Sequence, residues 1–143
     1  MTVRKAIKVV GTVAVTYVVI VIAFEVFVVI VGKRQAEQGV QPGGDYLVLT
    51  TTAGGKAYDT VVAGVVSDGH VYVAANHWPR GWYERAAKNP DVEVTRGDKH
   101  MACVAVPVTG AELARIERDY RMPFLVRFLT GFPPRAFLRL DQR

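Results

Sequence analysis

The hydrophobic residues of this chain are unevenly distributed, with one long run near the N-terminus and short alternating runs after it. The run from Val9 to Val31 reads VVGTVAVTYVVIVIAFEVFVVIV and contains a single charged residue, Glu25. A helix of that length extends about 34 Å, close to the hydrocarbon thickness of a bilayer. The pattern predicts a membrane anchor helix over residues 1–34, with Glu25 tolerated near the second interface.

A cleaved signal peptide is the alternative to this anchor. The apolar run is longer than the usual signal-peptide core, and no small-residue cleavage site follows it before Lys33. We therefore favour a single-pass anchor in the cell membrane. Three basic residues precede the span (Arg4, Lys5, Lys8) and two follow it (Lys33, Arg34), so the positive-inside rule leaves the orientation nearly undetermined.

The rest of the chain has the pattern of a small β domain. A polar linker containing Gly and Pro is expected at residues 35–44, followed by one domain at 45–143. Asp68-Gly69 and Gly97-Asp98 each separate two apolar runs and predict hairpins. Strands are expected at 45–52, 60–66, 70–75, 92–96, 99–108 and 136–140, with helices at about 82–88, 109–120 and 124–129. The elements predict a mainly β fold with short helices, an antiparallel β-barrel preceded by one transmembrane helix.

Two of the predicted helices carry recognisable end signals. Asn89-Pro90 should stop the first of them, because the residue before a proline avoids the helical region. The sequence Thr109-Gly110-Ala111-Glu112 has capping-box spacing and should begin the second.

Charge and cysteine content narrow the functional classes. The chain of 143 residues carries a formal net charge of +5. Its Lys and Arg residues are scattered and accompany no nucleic-acid-binding motif, so anionic lipid or a phosphorylated ligand is favoured over nucleic acid. The one cysteine, Cys103, lies in an apolar run and is expected to be a buried packing residue. The three histidines have no metal-site spacing, and we predict neither a metal site nor a catalytic constellation.

Two regions carry groups suited to ligand binding. The first is the strand end at 50–52 leading into Ala53-Gly54-Gly55-Lys56, where glycines let backbone amides approach an anion closely. From spacing alone, a plain hairpin turn with a solvated lysine is the favoured interpretation. The second region is 76–83, where aromatic residues, a histidine and an arginine gather at a strand end. For Trp82 and Tyr83 alone, packing is the favoured interpretation.

Three segments of this chain resemble the deazaflavin (F420)-dependent nitroreductase and quinone reductase family. They are LVLTTT (Leu47–Thr52), SDGHVYVAAN (Ser67–Asn76) and WYERAAKNPDVEV (Trp82–Val94), within a resemblance that covers residues 45–108. The resemblance implies a split β-barrel of the pyridoxamine-phosphate-oxidase type that binds F420. It further implies an oxidoreductase that transfers hydride to a quinone or nitroaromatic acceptor, with the cofactor performing the redox chemistry.

The resemblance also implies which residues bind the cofactor. Family members follow the threonines with Gly-Arg-Lys-Ser-Gly, where this chain has Ala53-Gly54-Gly55-Lys56-Ala57 with one cation. Lys56 and the turn backbone would hold the phosphate of the cofactor, and two arginines would assist in binding it. Aromatic side chains would line the sides of the deazaflavin ring. The cofactor-binding candidates are Thr51, Thr52, Gly54, Gly55, Lys56, Asn76, His77, Trp78, Arg80, Trp82, Tyr83 and Arg85.

Two other functions stay open. The smaller number of cations favours a non-enzymatic split-barrel protein that binds a lipid, haem or another flavin. A membrane-tethered assembly module is the third hypothesis, and a homodimer is left open. We favour the enzyme, with membrane lipid and a quinone-like small molecule as partners. Because F420 is cytosolic, the barrel is expected on the cytoplasmic side.

Overall fold

The computed structural model describes residues 3–37, 46–78 and 80–143. In chain order, its helices and strands are α1 (Val3–Glu37), β1 (Tyr46–Ala53), β2 (Lys56–Ser67), β3 (His70–Ala75), α2 (Gly81–Lys88), β4 (Asp91–Arg96), β5 (Lys99–Pro107), α3 (Gly110–Asp119), α4 (Phe124–Leu129) and β6 (Ala136–Gln142). The predicted linker at 35–44 lies mostly outside the described residues, and α1 includes its first three residues.

The strands form a closed antiparallel barrel in the order β1-β2-β3-β6-β5-β4. Burial alternates along β1, where Leu47, Leu49 and Thr51 are buried and their neighbours are more exposed. That period of two follows from the pleat of a strand and directs every second side chain into the barrel. Val73 and Leu138 complete the centre of the core from β3 and β6. The predicted fold class is confirmed.

The antiparallel register assigns each connection to one of two barrel ends. The Gly54-Gly55 turn, the loop that leaves β3 and the entry to β6 lie at one end, which we call the α2 end because α2 joins β3 to β4 there. The hairpin turns at 68–69 and 97–98 lie at the opposite end. Both regions with candidate site residues therefore reach the same end of the barrel.

Glu112 lies in the first turn of α3 but does not form the predicted capping box. The helix starts at Gly110, yet Thr109 makes no side-chain capping hydrogen bond. The Glu112 carboxylate instead accepts from the Tyr72 hydroxyl at 2.8 Å and from Arg139 at 3.0 Å. These hydrogen bonds, Tyr72 first, lower the pKa of Glu112, while burial raises the pKa of Tyr72 and keeps its phenol a donor. The capping hydrogen bonds were wrongly predicted because charge-assisted bonds across the fold are stronger.

The second half of α1 packs against the barrel domain. Tyr17 donates a hydrogen bond to the Phe128 carbonyl at 2.9 Å, and the two rings lie 4.7 Å apart. Two turns later, Glu25 is 7% exposed, and its Oε1 and Oε2 lie 3.4 and 3.3 Å from Nδ1 of His77. The sequence did not predict this contact, in which His77 of the loop that leaves β3 covers the carboxylate.

The first half of α1 has no such contacts. Residues 7–16 are all exposed, and the segment Val3–Val31 is long and apolar enough to cross a membrane, with a mean hydropathy of 2.8. Length and composition alone do not distinguish a membrane span from other apolar helices.

Candidate functional site

Two cations face one aromatic ring at the α2 end of the barrel. Nζ of Lys56 lies 5.6 Å from the centre of the Tyr58 ring, and the guanidinium carbon of Arg85 lies 4.4 Å from it. The preceding turn has φ values of 56° at Gly54 and 75° at Gly55, and nothing lies within 4 Å of where their Cβ atoms would be. We call these five residues the cation corner. Its positive charge and open glycine backbone suit an anion.

Thr51 fixes the position of Arg85. The Nε of Arg85 donates to the Thr51 hydroxyl at 2.9 Å, and that hydroxyl lies 3.4 Å from the Tyr58 carbonyl. Thr51 is fully buried, so its hydroxyl needs partners inside the protein. Thr52, the next residue, accepts a hydrogen bond from the Asn89 amide. The two threonines thus connect β1 to α2 and hold the arginine beside the glycine turn.

Arg80, at the start of α2, is occupied by the protein's own backbone. Its Nε donates to the His77 carbonyl at 3.1 Å, and its Nη2 donates to the Ala75 carbonyl at 3.2 Å and to the Pro134 carbonyl. These bonds tie the end of β3 to the entry of β6. The guanidinium is therefore largely used to hold the loop.

The remaining polar residues of the same loop also contact the protein itself. The Asn76 amide oxygen accepts from Nε of Arg135 at 3.3 Å, and His77 contacts Glu25 of α1. Trp78 differs from them, because its side chain is 52% exposed. Among the described residues of this loop, Trp78 thus offers the side chain most open to a small molecule.

Trp82 and Tyr83 pack on the inside of α2. Trp82 is buried in the main core cluster together with Ala86, and Tyr83 packs against that cluster. Their rings meet edge to face, with centroids 5.9 Å apart. The packing interpretation describes Trp82 well, whereas Tyr83 keeps part of its ring exposed.

Two cavities lie near these residues, and Lys56 lines neither. The first, of about 340 Å³, opens where β1 and β4 separate beyond the Thr50–Glu93 pair, and Thr52 and Asp91 are among its lining residues. Its lining has two carboxylates, Asp91 and Glu93, and one cation, Arg143, a balance unsuited to a phosphate. The second, of about 570 Å³, lies between α3, α4 and the entry to β6. The cation corner itself lies on the surface, since its glycines, Lys56 and Tyr58 are exposed.

Sequence reasoning missed Tyr58 and Asn89. Tyr58 lies two residues after Lys56 on one strand, so period-two spacing could have placed both side chains on the same face. The Asn89-Pro90 pair predicts only the end of a helix, and no local sequence pattern indicates the hydrogen bond from Asn89 to Thr52. Burial raises the pKa of the Cys103 thiol, as suits a packing residue. Within the three described ranges, no group of three or more His, Cys, Asp and Glu residues could hold a metal.

The family model of the F420H2-dependent quinone reductases matches residues 24–123, more than half of the chain. The chain belongs to this family. The suspected relationship to deazaflavin-dependent reductases is confirmed, and F420 is the cofactor that this family uses. The matched part begins within α1 and includes Glu25, the whole cation corner and the β3–α2 loop.

Solved structures share the fold. An F420-H2-dependent reductase, FDR-A, is 21% identical with a TM-score of 0.54, over 68% of this chain and 94% of the other. A domain-swapped dimer is 20% identical with a TM-score of 0.54, over 76% and 96%. A candidate pyridoxamine 5′-phosphate oxidase from Listeria innocua is 12% identical with a TM-score of 0.51, over 76% and 92%. Among curated proteins, none matches.

The cation corner fits the anionic part of F420. A phosphate needs cations and backbone donors on one accessible surface, and the corner has Lys56, Arg85 and the amides of an unhindered glycine turn. Arg80 does not add to this set in the observed conformation, because carbonyls occupy it.

Proposed function

We propose that this protein is a membrane-attached F420H2-dependent reductase whose acceptor is a quinone, with a nitroaromatic compound as the alternative. The family match carries the reductase part. Reduced F420, when bound, supplies a hydride for the two-electron reduction of the acceptor. The chain's own residues bind and orient the two molecules, and we assign no nucleophile among them.

The cation corner binds the phosphate in this proposal. Lys56 and the amides of Gly54 and Gly55 contact its oxygens, and Arg85 adds a second cation from α2. Because Thr51 holds Arg85 through Nε, the guanidinium is positioned before the ligand arrives, which reduces the entropy lost on binding. Arg80 holds the β3–α2 loop in place and does not contact the phosphate, which the cation corner binds.

The acceptor side lies at Trp78 in this proposal. The exposed indole is close to α1, since a Cβ on Gly131 would lie 2.9 Å from the Val21 side chain and 3.3 Å from Nε1 of Trp78. An aromatic surface beside an apolar helix suits a lipid-soluble ring such as a quinone. The apolar helix supports attachment to the cell membrane, and a cytosolic coenzyme supports a cytoplasmic barrel.

The test is a fluorescence titration of the full chain in detergent with F420, comparing Lys56→Ala with Lys99→Ala. Lys99 is the matched control because it also begins a strand after a two-residue turn, but at the opposite end of the barrel. We expect Lys56→Ala to raise the Kd about tenfold, the loss of one charged contact at a solvent-exposed site. Lys99→Ala should leave it unchanged.

Activity is measured separately as oxidation of F420H2 by menadione. If F420 binds but menadione does not oxidise F420H2, a quinone is excluded as the acceptor, while the proposed cofactor site is retained. No F420 binding by the unmodified protein would contradict the proposal and favour a non-enzymatic barrel. An absorbance spectrum of the isolated protein would then show whether haem or flavin is bound instead.

A further inference from the structure

Four apolar side chains project from α4 and the turn after it. Phe124 is 73% exposed, Leu125 is 66% exposed, and Phe128 and Phe132 are 38% and 43% exposed. The three rings are neighbours, with centroids 5.8 to 6.4 Å apart. We call these four residues the α4 patch. Contiguous exposed aromatics of this kind mark a contact surface.

The backbone of Phe132 is unfavourable and holds its ring outward. Its φ is 51°, a left-handed conformation that is unfavourable for a non-glycine residue. A hydrogen bond from its N–H to the Arg127 carbonyl at 2.9 Å closes the turn. The ring remains nearly half exposed, so burial within this chain offsets little of the cost. Contact with an external apolar phase would offset more.

Three arginines lie beside the patch. Arg121, Arg127 and Arg135 line the cavity of about 570 Å³ together with one carboxylate, Glu117. Within the described part of the chain, no carboxylate oxygen forms an ion pair with any of the three. Burial lowers the pKa of Arg135 most, Glu117 raises it in opposition, and the neighbouring Arg127 lowers it further by the smallest amount. The cavity therefore has excess positive charge next to an apolar surface.

We propose that the α4 patch inserts into the headgroup region of a bilayer and that the arginine cavity takes the phosphate of an anionic phospholipid. Apolar residues with adjacent arginines are the composition of a membrane-surface contact. This inference rests on the membrane attachment proposed above and adds a second contact site, separate from the cation corner.

The position of α1 places the patch at membrane level. Tyr17 lies against Phe128, so the exposed apolar half of α1 continues the surface of the α4 patch. While Tyr17 keeps its contact, α1 and the α4 patch reach the bilayer together, on one continuous surface.

The experiment uses a polarity-sensitive dye on single introduced cysteines in the full chain. Leu125→Cys tests the patch, Val10→Cys tests α1, and Val66→Cys is the control. Val66 is 59% exposed and lies at the barrel end opposite the patch. Cys103 is buried, and the unsubstituted protein treated with dye gives the background. Samples are vesicles of phosphatidylcholine with and without phosphatidylglycerol.

We expect the dye at positions 125 and 10 to shift to the blue and to be quenched by nitroxide-labelled lipid, and the dye at 66 to do neither. Arg121→Ala with Arg127→Ala should reduce the shift at 125 severalfold in anionic vesicles and leave that in neutral vesicles unchanged. Inorganic phosphate should not compete at millimolar concentration if the ligand is a lipid headgroup. Competition would assign the cavity to a free phosphate and overturn the lipid assignment.

The outcomes of this experiment distinguish a failure of the α4 contact from a failure of the membrane attachment proposed above. A shift at position 10 without one at 125 keeps membrane attachment and overturns the α4 contact. No shift at either position overturns membrane attachment itself. A patch variant that misfolds is recognised because F420 binding, measured on the same sample, is lost as well.

Discussion

Arg80 caps the start of α2 and Arg85 lies five residues later in its last turn, yet their guanidinium groups have different surroundings. Arg80 donates to backbone carbonyls of the loops around it, whereas Arg85 lies over an aromatic ring beside an open glycine turn. In the sequence both are arginines near a strand end and both are equal candidates for a phosphate. The contrast shows that a cation becomes available for a ligand only where the fold does not need its hydrogen bonds.

The largest expected effect follows from replacing Arg80. Arg80→Ala removes charged hydrogen bonds to carbonyls that would then lack partners, so we expect a loss of about 3 kcal/mol in the free energy of unfolding. For a domain of this size the Tm should fall by roughly 15 °C. Thermal unfolding followed by circular dichroism measures this change in Tm. Weaker F420 binding with an unchanged Tm would reverse the assignment of the two arginines.

Glu112, which is remote from the cation corner, is expected to affect stability and its dependence on pH. Its lowered pKa means that its ionised form stabilises the folded state above pH 4.5, the usual value, and that this contribution is lost as the pH falls through the lowered value. Glu112→Gln should cost about 2 kcal/mol at pH 7 and show a flatter decline in acid. Urea unfolding between pH 3 and 7 tests this. Parallel curves for the two proteins would contradict it.

Replacing Arg85 should mainly affect binding. Arg85→Ala removes the second cation and is expected to raise the Kd for F420 about tenfold, with a smaller change in stability from the freed Thr51 hydroxyl. Arg85→Lys retains charge but loses the Nε bond, so binding should recover only partly. Arg118, exposed on α3, offers the control substitution Arg118→Ala, which should change neither quantity. Full recovery by lysine would mean that Thr51 does not position this side chain.

The smallest expected effect concerns Tyr58. Tyr58→Leu keeps an apolar side chain and removes the ring that faces both cations, which contributes about 0.5–1 kcal/mol per cation at an exposed site. The Kd for F420 should rise two- to fivefold, and the free energy of unfolding should fall by only about 1 kcal/mol, because Tyr58 is exposed. Isothermal titration calorimetry can resolve this change. An unchanged Kd would show that the ring does not organise the corner.

Much of the barrel is predictable because its signals are local. The alternating sequence HVYVAA and the Asp68-Gly69 turn predict β3 to the residue, and Asn89-Pro90 ends α2 as expected. The first four residues of β2, which are exposed, were missed because they lack an alternating pattern. The site is harder to predict, since the pairing of Arg85 with Thr51 and the carbonyls around Arg80 arise only when distant segments meet.

The contact between Glu25 and His77 also determines how far α1 can move. Were the helix to leave the barrel and cross the bilayer, this carboxylate would lose its imidazole partner and enter a low-dielectric phase at a cost of a few kcal/mol. A one-residue shift of the helix, about 1.5 Å along its axis with a rotation of about 100°, would bring Phe24 or Val26 to the imidazole instead. This one acidic side chain thus fixes both the height and the rotation of α1 against the barrel.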